Sequence, residues 1–543
     1  MKNRRILSVL LPALVLALSA AGIFALRALE MRRAPDPRIT VVRYLEGLCS
    51  GDTAAAMQLM SETVSGLETE AGTQEGKMLA ELIRSSRAYS ITNCILTGYR
   101  TAEADVSVSC VNTEKLAEGF AAETDAALAE AVRNAARSED IYAAGMRYKS
   151  DVLYTAFDGV LRGRAMNAGQ YSDRTLLTLR LDYNGSEWKV RRNDTLLRVF
   201  SGFTAGETPD ELAQAMFESA VSGAEYHRKH YSLSDAEPAP APDAALYGET
   251  DDVSVIRELL ESFPAQQLLD GQKTAWNGNI ELLPGSVIRY YLDETILFIE
   301  WQEVTEGAIA TLTELKLADG SQLRRKLAGD EYYSGQYNKA SALAKEANAV
   351  MALSGDFYQL GDREYGIVVY NGKICRFDPE YADTCFINGE GELLFSHRGE
   401  LTERTEAERF VEENGVRFSL CFGPVLIEDG TDVTPESYIL GEINDLYARC
   451  GIGQLGETHY LTANINCRPN SQYYYLVKLK TLTELLQHYG CERAYALDGG
   501  QTAETIINGE YINDIQFGHE RSVSDCICFT TALPEREEEV SAP

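Results

Sequence analysis

A chain of 543 residues with 45% hydrophobic and 9% aromatic content has room for roughly two to four globular domains with sizeable cores. Its net charge of −32 argues against nucleic-acid binding, because nothing would neutralise phosphates, and against docking on an anionic membrane surface. Eleven cysteines leave at least one unpaired, and no Cys-x-x-Cys pair occurs, so neither a structural zinc site nor a thioredoxin-type centre is expected.

Lys2-Asn3-Arg4-Arg5 precedes an apolar run from Ile6 to Leu26, closed by Arg27, Arg32 and Arg33. The run is about long enough to cross a bilayer as a helix. Leu18-Ser19-Ala20 is a poor cleavage site. Residues 1–33 are therefore expected to be a cytoplasmic stub and a single-pass transmembrane signal anchor, with the bulk of the chain extracytoplasmic. Basic residues at both ends leave the orientation open.

After a stiff Arg33–Pro37 spacer, Val42, Leu45, Leu48, Met57 and Met60 recur at helical spacing and predict a helical hairpin broken at Ser50-Gly51-Asp52. More helix is predicted over Glu81–Arg87, strands between Tyr89 and Asn112, and a long helix over Glu114–Tyr142. Thr175–Tyr183, Asn184-Gly185 and Glu187–Arg191 predict a hairpin containing Trp188. This order of helices, strands and a late Trp-Lys-Val hairpin resembles the cone-shaped α+β fold of nuclear-transport-factor-like domains, which implies an accessory domain over 37–200. It holds no catalytic constellation; Asp151 and Asp158 read equally well as solvated.

Thr208-Pro209-Asp210-Glu211 caps a helix expected to run to Tyr231. His227 and His230, near its end, read as partners of the helix dipole or as two metal ligands lacking a third. The proline–alanine stretch from Ser234 to Ala245 is expected to be an extended, exposed linker. A helix and linker are thus assigned to 201–250 and the C-terminal domain to 251–535, with a disordered acidic tail at 536–543.

A helical piece is expected near Val253–Leu269. Beyond it Asn371-Gly372, Asn388-Gly389, Asp429-Gly430 and Asn508-Gly509 each separate β-type runs and predict hairpins. Thr405–Glu408 and Thr481–Glu484 read as capping boxes of two helices stopped by Gly415 and Gly490. Cys526 and Cys528 alternate on a strand and are expected on one face, not bridged. The fold class is α+β throughout.

Four stretches carry glycine and charge beyond what a scaffold needs: Leu327–Tyr333 around Asp330, Met351–Tyr358 around Gly355 and Asp356, Ala448–Gln454 around Arg449, and Tyr495–Thr502. In the last, an apolar strand ends in Asp498, and Gly499-Gly500 lets a ligand approach the backbone. An arginine with glycine-turn N–H groups suits a phosphate, and carboxylates beside it suit acid/base work at an anomeric carbon.

In this order the stretches resemble the phosphodiester glycosidase family, from about Thr311 to Pro534. The family's Asn-Gly-(Gly/Asp)-Phe-(Phe/Tyr) motif falls on Ser354–Tyr358, its Gly-Pro-x-Leu-x-x-Asp-Gly turn on Gly423–Gly430, and its Pro-Arg-Thr-Ala-Ile-Gly motif on Ala448–Gly453. Its Leu-Asp-Gly-Gly-Gly-Ser-Ser-Thr motif falls on Leu497–Glu504, and its closing Arg-Pro-Val-Ser-(Asn/Asp) on Arg521–Asp525. The resemblance implies cleavage of a sugar-1-phosphodiester in a surface or extracellular glycan. Arg449 would clamp the phosphate with the Gly451, Gly453, Gly499 and Gly500 backbones. Asp498 and Asp356 would act at the anomeric carbon, and Gly355, Thr502 and Asp330 would line the site. No metal or cofactor is implied, and the partners are the glycan and, through the N-terminal helix, a membrane.

The departures are Ser354 for asparagine, Cys450 for threonine, Gln501-Thr502-Ala503-Glu504 for Gly-Ser-Ser-Thr, and Asn466-Cys467-Arg468 for Asp-Gly-Arg. Glu504 is expected to add a charge that repels phosphate. These changes support an alternative: a non-catalytic glycan- or phosphopolymer-binding scaffold with a degenerate site.

Overall fold

The computed structural model describes residues 2–62, 71–143, 147–201, 208–252, 254–256, 282–356, 365–439, 443–466 and 476–533. The helix expected near Val253–Leu269 lies almost wholly outside these residues, as does the acidic tail. The chain divides into two compact units: Met1–Ala135 with Ile141–His227, and Ala136–Asp140 with Arg228–Pro543.

In the first unit a helix spans Lys2–Arg33, and its Leu11–Arg33 portion, of mean hydropathy 1.9, is long and apolar enough to cross a membrane. The helical hairpin forms as Pro37–Ser50 and Thr53–Gln58. Gly51 takes a left-handed φ of 81°, and the Asp52 carboxylate caps the second helix by accepting from the Ala55 N–H. Helices over Gln74–Ser86, Thr113–Ala117, Phe120–Asn134 and Pro209–Ser222 follow. The sequence reading assigns no element to Ser150–Met166, a helix that buries Ala156, Phe157, Leu161 and Arg164. The strands Ala88–Gly98, Thr101–Val111, Ser172–Tyr183 and Trp188–Val190 form one antiparallel sheet in that order. Alternating Ala102, Ala104, Val106 and Val108 bury one face of it against the helices.

The capping box on Thr208 is present, but its helix ends at Ser222. His227 therefore lies beyond the helix, its ring 3.0 Å from Asp125, and is no dipole partner. The proline–alanine stretch is exposed over 234–238, as expected, but it is not a free linker: it is held along the second unit. Leu233 N–H donates to Ser321 at 2.7 Å, Arg417 pairs with Asp235, Arg324 donates to the Glu237 carbonyl at 2.6 Å, and Asn348 donates to the Ala239 carbonyl at 2.8 Å.

The second unit is built on a nine-stranded sheet. Its order is Thr431–Asp432, Val425–Glu428, Arg493–Leu497, Arg449–Gly456, His459–Asn466, Ala308–Leu317, Ile296–Thr305, Ile288–Leu292 and Tyr247–Thr250. One face packs on the helix Leu479–His488 through Leu482, Leu485 and Leu486. The other shares a core, including Phe298, Leu315, Leu353 and Phe529, with a five-stranded sheet centred on Ala349–Ser354 and Asp525–Thr530. The expected Asn-Gly and Asp-Gly turns join neighbouring strands; at Asn508 and Gly509 both φ angles are positive, 49° and 71°, as a tight hairpin turn of this kind requires. The two later helices begin before their expected caps, at Arg404 and Leu479, so Thr405 and Thr481 lie inside them. Cys526 and Cys528 lie buried on one strand, their sulfurs 3.4 Å apart and unbridged.

Gly451 and Gly453 belong to this packing. They point from the Arg449–Gly456 strand towards the Leu479–His488 side. A Cβ on Gly451 would stand 3.0 Å from Leu482, and one on Gly453 would stand 2.4 Å from the Cys491 sulfur. Gly453→Ala is expected to cost about 1–3 kcal/mol of stability through overpacking, with unchanged substrate affinity in the molecules that fold. A chemical-denaturation midpoint alongside a binding isotherm checks both halves.

Candidate functional site

The strand Arg493–Leu497 is buried and paired on both sides, so its carboxyl end is fixed. Asp498 follows at once, and its backbone N–H points at the Gly355 carbonyl, 3.4 Å away. A Cβ on Gly499 would lie 2.4 Å from the Ala448 carbonyl oxygen, so only glycine lets the chain pass the neighbouring strand here. Gly500 N–H then donates to that same carbonyl at 2.9 Å, and the buried Thr502 hydroxyl donates to the Gly499 carbonyl at 2.7 Å. Thr502 thus shapes the turn from beneath.

This turn opens on a cleft of about 460 Å³. Asp498, Gly499, Gly500, Gln501 and Arg521 line one side, Tyr447, Ala448, Arg449 and Cys450 another, and Phe422, Leu479, Gln516 and Phe517 add apolar and amide surface. The Asp498 side chain is 14% exposed and accepts from Arg521 Nη2 at 2.8 Å. Burial raises its pKa to about 6 against the pull of Arg521, with Asp356 pushing the same way as burial. Arg521 is 41% exposed. Its Nε–H, though buried, meets no hydrogen-bond acceptor among the described residues.

Arg449 lines the cleft, but much of its guanidinium is engaged. Nη2 donates to the Asp445 carbonyl at 2.8 Å, Nε donates to the Val477 carbonyl at 3.3 Å, and the group lies 5.4 Å from the Tyr447 ring centre. Asp356 is not brought into the cleft. Its side chain is 2% exposed, its carboxylate accepts from the Cys421 N–H at 2.5 Å, and Arg325 stands 3.7 Å away. Arg325 in turn bonds Asp525 at 2.6 Å, and Asp525 accepts from the Asp356 N–H at 3.0 Å. Gly355 packs over this cluster, since a Cβ there would meet Asp525 at 2.5 Å. Two carboxylates and one guanidinium thus form a buried support behind Asp498. Asp330 is elsewhere, exposed and paired with Lys326 at 2.5 Å.

The structure therefore gathers Asp498, Arg449, Gly499 and Gly500 around one cleft, with Thr502 beneath. It leaves Gly451 and Gly453 in the sheet, Asp356 and Gly355 in the support, and Asp330 on the surface. Arg521 and Asp525 are the first and last residues of the closing motif and were not expected at the site, and nothing in the sequence singled out Arg325. Glu504 also differs from expectation. It is fully buried, and burial together with Glu520 raises its pKa to about 8 against the pull of Arg521 and Lys339. At pH 7 it is mostly neutral and adds no repulsion towards an anion.

Residues 347–530 match the family model for phosphodiester glycosidase. The second unit carries a phosphodiester glycosidase domain. The chain is also 25% identical over 210 residues to the SPbeta prophage-derived uncharacterized protein YomE of Bacillus subtilis (strain 168), a match over 37% of this chain and 31% of that protein's length. Among solved structures it is similar to the zebrafish N-acetylglucosamine-1-phosphodiester alpha-N-acetylglucosaminidase catalytic domain auto-inhibited by its pro-peptide. That match has a TM-score of 0.36 at 15% identity and covers 50% of this chain and 94% of that one. A hypothetical protein from Synechocystis matches with a TM-score of 0.33 at 12% identity, over 45% of this chain and 64% of that one. The cleft, with Asp498 and Arg521 at its floor, lies within the phosphodiester glycosidase domain.

Proposed function

We propose that the protein is a membrane-anchored, extracytoplasmic hydrolase that cleaves sugar-1-phosphodiester bonds in a surface or extracellular glycan. One observation carries this reading. A carboxyl group that titrates near 6 and an arginine with an unanswered N–H share a cleft floored by glycine backbone, inside a phosphodiester glycosidase domain. Arg521 supplies the charge-assisted contact to the phosphate, and the Arg449 side of the cleft adds positive potential. The phosphate then draws Arg521 towards itself and leaves the Asp498 carboxylate free to face the anomeric carbon. A phosphate leaving group departs as an anion with a second pKa near 6, so it needs little help from an acid. The demand falls on a group that attacks or activates water, and an ionised Asp498 fills it. The apolar run between arginines at the N-terminus supplies the anchor.

The second reading, a glycan-binding scaffold, draws on the burial of Asp356. Among the described residues the cleft lining holds one carboxylate, Asp498, where glycoside hydrolysis usually employs two. The test is release of free sugar from a glycosyl-1-phosphodiester across pH. The expected kcat/KM is flat above about pH 6 and falls by about tenfold per pH unit below it, as one carboxylate protonates. A loss above pH 6 instead would make Asp498 the acid, and polymer binding without turnover at any pH would establish the scaffold.

A further inference from the structure

Among its described residues the first unit shows no catalytic cluster, but it is built around the end of the N-terminal helix. The apolar run stops at Leu26, and Arg27 follows one residue, about 1.5 Å, further along the axis. The Arg27 guanidinium lies 4.7 Å from the ring centre of Tyr99, at the tip of the Ala88–Gly98/Thr101–Val111 hairpin. Tyr99 also donates its hydroxyl to Glu30, and Arg100 Nε donates to the same carboxylate at 3.0 Å. A second hairpin tip reaches this point: a Cβ on Gly185 would start 3.9 Å from Glu30.

Both hairpins lie alongside the helix with their tips towards its apolar run. Behind the second tip, Trp188 donates its indole N–H to the Pro35 carbonyl at 2.7 Å. Behind the first, Cys94 lies within electrostatic range of Asp36 and Arg38. Met31 and Ala34 pack on the core of the unit. The last turns of the helix are thus part of the folded domain, and their removal would strip Glu30 from two hairpin tips.

If the helix crosses a bilayer with Arg27 at its boundary, Tyr99 stands where tyrosine is enriched, between hydrocarbon and headgroups. Leu96, three residues or about 10 Å back along the strand, is 53% exposed, and its neighbour Ile95 is 51% exposed. At about 10 Å these apolar side chains stand just outside the headgroup layer, which adds about 5–8 Å to each side of the hydrocarbon core, so Tyr99 enters the layer and Leu96 faces its outer surface. Arg27 stands at this level over Tyr99, Arg100 is paired there with Glu30, and Arg32 and Arg33 follow about 8–9 Å further along the helix axis. Lipid phosphates complement these arginines locally, in a chain whose total charge is −32.

We infer that the N-terminal helix is retained in the mature protein and that the Tyr99 end of the four-stranded sheet is seated in the lipid headgroup layer, with Leu96 against its outer surface. This rests on the anchor in the proposed function, and the experiment separates the two. The full chain is reconstituted in phosphatidylethanolamine–phosphatidylglycerol vesicles doped with a lipid carrying a nitroxide on its headgroup. Tryptophan is placed at Leu96 or at Leu176, and the signal of the parent chain is subtracted. Leu176 is exposed and pairs with Ser107, six residues or roughly 20 Å further from the tip than Thr101. The L96W signal is expected to be largely quenched and the L176W signal largely kept. Equal quenching overturns the seat. In parallel, mass spectrometry of the membrane-extracted protein is expected to find peptides from residues 2–33. Their absence overturns retention and the anchor together, whereas their presence with equal quenching overturns the seat alone.

Discussion

Replacing Asp498 with asparagine is expected to abolish sugar release from a phosphodiester while making the fold more stable at pH 7. The pKa of Asp498 is raised by burial from an ordinary 3.8 to about 6, so the folded state favours the protonated acid. Stability is therefore greatest below about pH 4, declines as the pH rises through the interval between the two values, and stays low above about pH 6. Removing the charge removes that cost. The gain at pH 7 is roughly 1–3 kcal/mol, after allowance for the part of the side chain in contact with solvent, and it vanishes at pH 4. Thermal midpoints of D498N and parent at the two pH values, with a turnover assay, check the pair of effects. A variant that is inactive and also less stable at pH 7 would show that the Arg521 ion pair supports the fold instead of the site.

Arg325→Met is expected to be the most damaging single change to the fold. The guanidinium sits between Asp525 at 2.6 Å and Asp356 at 3.7 Å and also donates to the Ser419 carbonyl, with all three charged side chains at most 2% exposed. Its removal takes the guanidinium from between two buried carboxylates, and breaking a buried pair of this kind typically costs 3–5 kcal/mol. The variant should recover part of the loss in mild acid, because protonation relieves the buried charge. Activity should fall as well. Gly355 N–H faces the Asp525 carbonyl at 3.3 Å, and the Gly355 carbonyl faces the Asp498 N–H, so the Asp498 loop hangs from this cluster. A loss below about 1 kcal/mol in a urea titration, the range of an exposed pair, would mean that the charges are already solvated.

Local chemistry made much of this legible in sequence. Asn508-Gly509 can hardly be anything but a hairpin turn, and a strand ending in Asp-Gly-Gly announces both its end and a close backbone approach. Tertiary context decided what was not legible. Leu479 starts its helix two residues ahead of Thr481 because it is buried, and its N–H bonds the Ile443 carbonyl at 3.2 Å. Glu504 carries a formal charge in sequence and little at pH 7 in the fold, since only the packing reveals that it is buried and faces Glu520. Arg449 and Arg521 look equally suited to an anion when read as letters. Neighbouring carbonyls, contributed by loops distant in sequence or four residues away, occupy the first and leave the second with an N–H to offer.

The proline–alanine strap matters to anyone wishing to study the phosphodiester glycosidase domain by itself. The composition from Ser234 to Ala245 invites a cut just after it, yet a truncated chain beginning at Leu246 would lose Asp235, the partner of Arg417, along with the carbonyls that hold Arg324 and Asn348. Those cations and amides would face water, and the sheet behind them would lose a fastening. A start at Arg228 keeps the strap whole and gives up only Ala136–Asp140 of the second unit, with the bonds of Ser138 to Glu294 and Tyr231.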